Sequence, residues 1–463
     1  MKKITFLLLF VAFSTFVFGQ YDTSQVINQY GIVVDRHPLN PEDREGILTL
    51  ESEDHSYKLW LDNRVYIDGA YFFDKNTYNP IGNGITVRRA RFAVKVILDN
   101  NWYGEIDLDF AGSHVEMKDM IVGYRFKEKE GWKKNLSVNI GHFKEAFSME
   151  YVTSSRSVTF IERSLINKSF VPSRTIGFQA RKYDKYWLLY SGVHFTELGG
   201  SEEADLSQRY NKKLGMDEGY SWTTRGVLRL PVPSKEIILH LGGAYSYRTP
   251  KTSWETPDAW RYSTRTMSNI NRKKYLDTDD IINVGARSIM GIELAAAWKN
   301  FMFQSEYVSS TLTGTDLNGV NGVTSTTADG FYAQAAWLIF NGRYRYNSGE
   351  GEFTRIKRGR DWGDVELAFR YDYVSLNDFD AQIYGGGANA YTVGLNYHIN
   401  SNVKVMLNYS YAEHDRYANG KDKLYIGNDV NGNPTKDWSK VDETKGTPGE
   451  RFGFIQCRFE IDF

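Results

Sequence analysis

The chain has 463 residues, a formal charge of −1 and a mean hydropathy of −0.48. The near balance of charge gives no basic field that would attract nucleic acid, and the polar mean hydropathy argues against a bundle of transmembrane helices. Aromatic residues make up 15% of the chain, with 41 glycines and only 10 prolines, a composition that favours strands and tight turns.

An apolar run at the N-terminus predicts a cleavable secretory signal over residues 1–19. Two lysines precede the run 4–18, and Val17 and Gly19 have the spacing that signal peptidase requires. The run is shorter than the roughly 20 residues of a bilayer-spanning helix, and no later stretch approaches that length. We therefore expect the mature chain to begin at Gln20 and to cross a membrane, if it does, with strands.

Most of the remaining chain alternates apolar and polar residues in segments of about ten residues, the pattern of transmembrane barrel strands. The alternation is clearest at 365–373 and 403–411, where every second residue is Val, Leu, Phe or Tyr. Successive side chains of a strand point to opposite faces, so each segment has one apolar and one polar face. The predicted strands are 57–71, 85–99, 101–111, 117–127, 135–143, 174–183, 186–196, 219–232, 236–248, 286–299, 301–311, 329–341, 364–376, 388–400, 402–415 and 450–463.

The connections between these segments alternate between tight turns and long polar loops, as in bacterial outer-membrane barrels. Tight turns fall at 100–101, 184–185, 299–300 and 400–402, and long loops at 144–173, 197–218, 249–285 and 416–449. One connection, 341–363, is longer than a short turn. The sequence thus predicts an all-β fold, a transmembrane antiparallel β-barrel of about 16 strands spanning residues 57–463, after a short periplasmic segment 20–56. Sixteen strands leave an open aqueous channel.

The stretch 87–195 resembles the family of phosphate-selective porins O and P. The resemblance is carried in order by 87–92 (VRRARF), 102–109 (WYGEIDLD), 139–144 (NIGHFK), 147–150 (FSME), 154–155 (SS), 160–164 (FIERS) and 170–177 (FVPSRTIG). Weaker similarity continues through 362–371 to the C-terminus. The resemblance implies a homotrimeric outer-membrane porin of a Gram-negative bacterium, whose loop 144–173 folds inward and constricts a channel for small anionic solutes such as phosphate.

The resemblance also implies which side chains bind the passing anion. Carried over by motif, the anion-binding constriction consists of Arg88 and Arg89 on the wall, Lys144 at the start of the loop, Ser154 and Ser155 within it, and Arg163. Tyr151 stands where a further lysine is expected, and the later strands show no clear ladder of arginines.

The terminal Phe463 is similar to the outer-membrane assembly signal of porins, which predicts recognition by the barrel assembly machinery. It ends an apolar face that also carries Ile455, Cys457, Phe459 and Ile461. Such a strand suits the closure of a barrel in outer-membrane lipid.

Side-chain parity supports part of this site independently of the resemblance. If Phe92 and its alternate neighbours face lipid, Arg89, Arg91 and Lys95 share the lumen face, which adds Arg91 to the candidate site. Arg88 has the wrong parity unless a bulge intervenes.

The next predicted strand places Glu105, Asp107 and Asp109 on one parity. Paired carboxylates could act as acid and base, as in glycosidases. We favour the alternative that they face the basic row across the hairpin and balance its charge.

Two other classes of function remain open at this point: a secreted all-β carbohydrate-active enzyme or lectin, and a barrel adhesin that conducts no ions. The eight histidines show no metal-ligand spacing, and no nucleophile elbow or phosphate-binding loop is present in the sequence. We therefore expect no catalytic residues, metal or cofactor.

Overall fold

The computed structural model describes residues 25–73, 77–112, 115–195, 212, 215, 219–230, 236–250 and 258–463, so the predicted signal 1–19 lies outside the described residues. Sixteen antiparallel strands form a closed barrel, each paired with the next along the chain. They are β1 (Arg64–Phe72), β2 (Gly84–Leu98), β3 (Trp102–Asp109), β4 (Glu116–Arg125), β5 (Leu136–Lys144), β6 (Arg174–Tyr183), β7 (Trp187–His194), β8 (Ser221–Arg229), β9 (Ile237–Arg248), β10 (Val284–Trp298), β11 (Phe301–Gly314), β12 (Ser325–Leu338), β13 (Asp364–Asp378), β14 (Ile383–His398), β15 (Val403–His414) and β16 (Arg451–Asp462).

The other elements are short. They are the helices α1 (Met149–Val152) and α2 (Leu165–Ser169), the 3₁₀ turns Leu317–Gly319, Trp438–Lys440 and Glu443–Lys445, and the strands Gln25–Ile27, Val33–Asp35, Leu39–Arg44, Ile47–Ser52, Lys58–Leu61, Ser263–Thr264, Leu276–Asp277, Arg343–Asn347, Glu352–Lys357, Gly427–Asn428 and Pro434–Thr435. Within the described ranges, no helix is long and apolar enough to cross a membrane.

The last strand closes the barrel against the first. Phe454 on β16 lies opposite Phe72 on β1, and the pairing continues to Asp462 opposite Arg64. Beyond it, the backbone N–H groups of Asn63 and Phe463 donate to each other's carbonyls at 2.7 and 3.1 Å. Lipid cannot satisfy backbone polar groups, so closure is what allows strands to span a membrane. The predicted sixteen-stranded barrel is confirmed.

The barrel is apolar outside and polar inside. On β10, the outward side chains Met290, Ile292 and Leu294 are 61%, 58% and 50% exposed. The lumen encloses fully buried arginines such as Arg370 and Arg458. A soluble protein does not expose so continuous an apolar surface, because contact between apolar side chains and water is unfavourable. The outward surface therefore faces hydrocarbon.

The barrel has one end with short connections, here called the turn end, and one with long connections, the loop end. The β2–β3 turn comprises residues 99–101, between Leu98 and its partner Trp102, and Asp99 and Asn100 in it have positive φ angles of 48° and 64°. The predicted turn at 100–101 lies within it. The long connection 339–363 also lies at the turn end. Its strands Arg343–Asn347 and Glu352–Lys357 pair as a hairpin that enters the barrel, here called the lumen hairpin.

The first predicted strand, 57–71, is two strands in the structure. Lys58–Leu61 pairs with the turn-end half of β2, and β1 begins only at Arg64. Lys58–Leu61 also pairs with Ile47–Ser52, which in turn pairs with Leu39–Arg44. Part of the predicted N-terminal segment 20–56 is thus joined to the barrel wall by backbone hydrogen bonds.

The loop between β5 and β6, residues 145–173, crosses the lumen and is called the constriction loop. Its first residue, Glu145, is fully buried and forms an ion pair with Arg248 at 2.7 Å. Thr175 and Thr223 donate hydroxyl hydrogen bonds to the same carboxylate at 3.0 and 2.8 Å. Although burial opposes it, the Arg248 guanidinium lowers the pKa of Glu145 to about 2. A charged anchor therefore fixes the start of the loop.

The rest of the constriction loop is fastened to the wall formed by β11 to β15. The backbone N–H groups of Met149 and Glu150, at the start of α1, donate to Glu306 at 3.1 and 2.7 Å. The N–H of Leu165, at the start of α2, donates to Asp372 at 3.0 Å. Since the loop is held on that side, the open passage runs along β1 to β7.

Candidate functional site

A bulge in β2 turns two adjacent arginines into the lumen. Tyr66 on β1 lies opposite Arg89, but the next residue of β1, Ile67, lies opposite Val87, so Arg88 is an extra residue in the ladder. The Arg88 guanidinium donates to Glu162 of the constriction loop at 2.9 Å, which places it inside the barrel. The bulge required by parity is therefore present.

Six of the seven predicted site residues line one cavity of about 320 Å³ beside the constriction loop: Arg89, Arg91, Lys144, Ser154, Ser155 and Arg163. Nine basic and four acidic side chains line it, a formal excess of five positive charges. The basic set consists of Arg64, Arg89, Arg91, Lys95, Arg125, Lys144, Arg163, Arg174 and Arg181; the acidic set consists of Glu105, Asp107, Asp119 and Glu350. The cavity is thus polar and strongly cationic.

The seventh predicted residue, Arg88, lines an adjoining cavity of about 180 Å³. Its partner Glu162 is buried, and Lys168 also contacts that carboxylate at 3.1 Å. Burial raises the pKa of Glu162, but the charges of Arg88 and Lys168 outweigh it and hold that pKa well below its usual range. Both cavities have Arg89, Ser155 and Arg163 in their walls, so a solute that moves between them passes these three side chains.

Several cations of the larger cavity are paired with carboxylates. Arg91 contacts Asp109 at 3.0 Å and Asp107 at 3.4 Å, and Lys95 contacts Glu105 at 3.0 Å. This agrees with the charge-balancing interpretation of the acidic row on β3. The carboxylates of Glu105, Asp107 and Asp119 offer oxygens within 4.8 Å of one another, but Arg174 neutralises Asp119 through a contact at 2.8 Å. The charge of these groups is therefore largely cancelled.

Lys144 and Arg163 are held in a different way. The Lys144 ammonium donates to the carbonyls of Tyr151 and Val152 at 2.9 and 3.1 Å. The Arg163 guanidinium donates to the carbonyls of Glu150 and Thr153 at 3.0 and 2.7 Å. Neutral carbonyls fix these groups in place without cancelling their charge.

Arg89 also keeps its charge. Its guanidinium lies 5.9 Å from the centre of the Tyr66 ring, and within the described part of the chain its Nε has no hydrogen-bond partner. Close by, Ser155 accepts a hydrogen bond from Arg64 at 2.9 Å. Arg89, Lys144 and Arg163 thus have no carboxylate partner among the described residues. Together with Arg125, which also has none, and the two serines, they surround a passage wide enough for water.

The structure also shows lumen arginines that the sequence did not reveal. Arg225 on β8 pairs with Glu293 at 2.7 Å, Arg370 on β13 with Asp372 at 2.8 Å, and Arg458 on β16 with Asp68 at 2.7 Å. Each arginine lies at one of the alternate positions of its strand that face the lumen. This alternation in the sequence was the signal that could have identified them. Because each has a carboxylate partner, they anchor the lumen and add little net charge.

Comparison with known proteins agrees with this geometry. A family model described as "Phosphate-selective porin O and P" matches residues 61–432. This chain belongs to the phosphate-selective porin O and P family. It is an outer-membrane porin, a channel-forming β-barrel of Gram-negative bacteria, as the sequence predicted.

Individual relatives of this porin are distant. Porin O of Pseudomonas aeruginosa is 22% identical over 398 residues, which cover 81% of this chain and 87% of that protein. An uncharacterized protein of Caulobacter vibrioides is 24% identical over 335 residues, 71% of this chain; the match spans 63% of the relative, less than two thirds of its length. The trimer form of OmpT from Vibrio cholerae has a TM-score of 0.50 at 10% identity, covering 88% of this porin and 100% of that chain.

Proposed function

We propose that this porin passes small oxoanions, phosphate among them, through the passage along β1 to β7. The observation that carries the proposal is that Arg89, Lys144 and Arg163, together with Arg125, surround one aqueous cavity without a carboxylate partner among the described residues. Guanidinium groups present forked donors that match phosphate or carboxylate oxygens, and serine hydroxyls such as those of Ser154 and Ser155 can complete the ligand shell. The family that this chain matches is described as phosphate-selective, and one relative is named Porin O, which supports this class of solute.

The uncompensated cations act in two ways. They attract anions into a narrow space where water screens charge less than in bulk. They also hold the solute only through a few exchangeable hydrogen bonds, so that it can leave again. Arg88 extends the site into the adjoining cavity, although Glu162 cancels much of its charge. Arg91 keeps the wall polar while Asp107 and Asp109 balance it.

Two partners belong to the same proposal. The trimer form recorded for OmpT of Vibrio cholerae supports a homotrimer for this porin as well. Phe463, at the end of the closing strand and 49% exposed, is the group that the barrel assembly machinery would recognise.

Ion selectivity in a planar bilayer tests the proposed function. The purified porin is inserted, and the reversal potential is measured across a gradient of potassium chloride. We expect a potential of the sign that anion permeation produces, and a chloride conductance that added phosphate inhibits. Cation selectivity would overturn the proposal, as would an inserted barrel with no conductance, which is the behaviour of the adhesin alternative.

A further inference from the structure

The lumen hairpin is a fixed part of the channel, which distinguishes it from a loose turn. Tyr344 and Phe353 of the hairpin pack in one buried apolar cluster with Met149 and Phe160 of the constriction loop. The Tyr344 hydroxyl also donates to Glu366 on β13 at 2.8 Å. Apolar burial and a buried hydrogen bond therefore hold the hairpin inside the barrel.

The tip of the lumen hairpin is positioned through its backbone. The Arg225 guanidinium donates to the carbonyls of Glu350 and Gly351 at 3.0 and 2.8 Å, and Arg229 donates to the carbonyl of Ser348 at 3.1 Å. Arg225 is itself fixed by its ion pair with Glu293. None of these three contacts uses the Glu350 side chain, so all three remain when that side chain is changed.

The side chain of Glu350 contacts the barrel wall beside the basic cavity. Its carboxylate forms an ion pair with Arg181 and accepts a hydrogen bond from the Tyr190 hydroxyl. The side chain is 40% exposed and belongs to the wall of the larger cavity. The Glu350 carboxylate therefore occupies the guanidinium of Arg181 and the hydroxyl of Tyr190, which are donors of the kind that bind oxoanions.

We propose that Glu350 is a specificity-determining residue of this porin, a tethered anion that competes with the solute for Arg181 at the turn-end exit of the basic cavity. The inference rests on the proposed passage of anions. Without this competition, Arg181 would join the uncompensated cations and would hold an oxoanion at the exit. With it, Arg181 is already paired, so the solute is held less tightly at this end of the cavity and is released towards the periplasm. Conduction requires that the solute bind weakly enough at the exit to leave the channel, and Glu350 weakens its binding to Arg181.

The test compares the Glu350→Gln porin with the wild type in planar bilayers, with inorganic phosphate as the inhibitor of potassium chloride conductance. Glutamine keeps the shape and removes the charge. We expect half-inhibition at a phosphate concentration about fivefold lower, the size of effect for one partly exposed ion pair. The matched control is Glu236→Gln, which removes a carboxylate at the same end of the barrel that pairs with Arg343 outside the cavity. We expect it to leave phosphate inhibition unchanged.

A double variant separates competition from a general change in charge. In Arg181→Gln/Glu350→Gln the freed guanidinium is absent, and phosphate inhibition is expected to return to near the wild-type value. Equal inhibition of the wild type and Glu350→Gln, with heat-modifiable mobility showing that both are folded, would overturn the inference. Cation selectivity of the wild type would instead overturn the proposed function, so the two failures are distinguishable.

Discussion

Arg89→Gln is the most direct test of the cationic cavity. Arg89 has no carboxylate partner among the described residues, and its charge is one of the five in excess around the cavity. Glutamine removes that charge and leaves a polar side chain over the Tyr66 ring. The substitution therefore changes the electrostatic field without breaking an ion pair that holds the fold.

The expected size follows from Coulomb's law. At about 5 Å, a unit charge attracts an anion by about 1 kcal/mol in bulk water and by about 3 kcal/mol at an effective dielectric constant of about 20. The cavity is open to water and to salt, which favours the lower half of this range. An effect of about 1.4 kcal/mol corresponds to a tenfold change in affinity. We therefore expect phosphate to inhibit the Arg89→Gln porin about ten times less strongly.

The assay is phosphate inhibition of chloride conductance in planar bilayers, repeated at low and high potassium chloride. The difference between wild type and variant should shrink at high salt, because salt screens the interaction. Arg343→Gln is the matched control, since Arg343 lies at the turn end, is paired with Glu236 and does not line the cavity. Equal inhibition of the wild type and Arg89→Gln, with unchanged strand content by circular dichroism, would refute the reasoning.

Three further variants test separate features. Glu145→Leu leaves Arg248 buried without its partner, a change that costs about 3–5 kcal/mol, so the melting temperature in detergent should fall clearly; an unchanged melting temperature would show that the loop is anchored elsewhere. Burial raises the pKa of Glu352 in the lumen hairpin to about 7 even though Lys144, Arg225, Arg163 and the Ser154 N–H face it, so lowering the pH from about 8 to about 6 should neutralise it and tighten phosphate inhibition; the Glu352→Gln porin should lose that pH dependence. Deleting Phe463 should reduce the amount of porin in the outer membrane on fractionation, and normal amounts would exclude a role for it in assembly.

The strands could be predicted because the apolar period of two is a local signal. All sixteen barrel strands were predicted, and most boundaries fall within a few residues of the structure. The largest shift at the start of a later strand is that of β14, which is predicted at 388 and begins at Ile383. Gly385, Gly386 and Gly387 lie there, and glycines carry no side-chain pattern that could mark the strand.

The site could be predicted only in part. Parity placed Arg89 and Arg91 in the lumen, but whether Arg88 joined them depended on a bulge, which is a property of pairing between two strands. Which cations keep their charge was also beyond the sequence. That property depends on contacts between distant residues, such as Arg174 with Asp119, and on carbonyls of the constriction loop.

The lumen hairpin was not predicted. The segment 341–363 was recognised as too long for a turn, but its path into the barrel depends on the packing of Tyr344 and Phe353 against the constriction loop. Packing between segments almost 200 residues apart leaves no local signal, because nothing within either segment indicates which distant segment it packs against. Long connections at the turn end of such barrels therefore need a structure before a function is assigned to them.

The bulge in β2 changes how densely charge can be arranged on a pore wall. In a regular strand only every second residue meets water, so neighbouring lumen charges on one strand are about 6.8 Å apart along it. The extra residue at Arg88 halves that spacing at one point, to about 3.4 Å. A single inserted residue thus doubles the local linear density of charged side chains on the pore wall, and it does so without adding a strand, widening the barrel or exposing a charge to lipid.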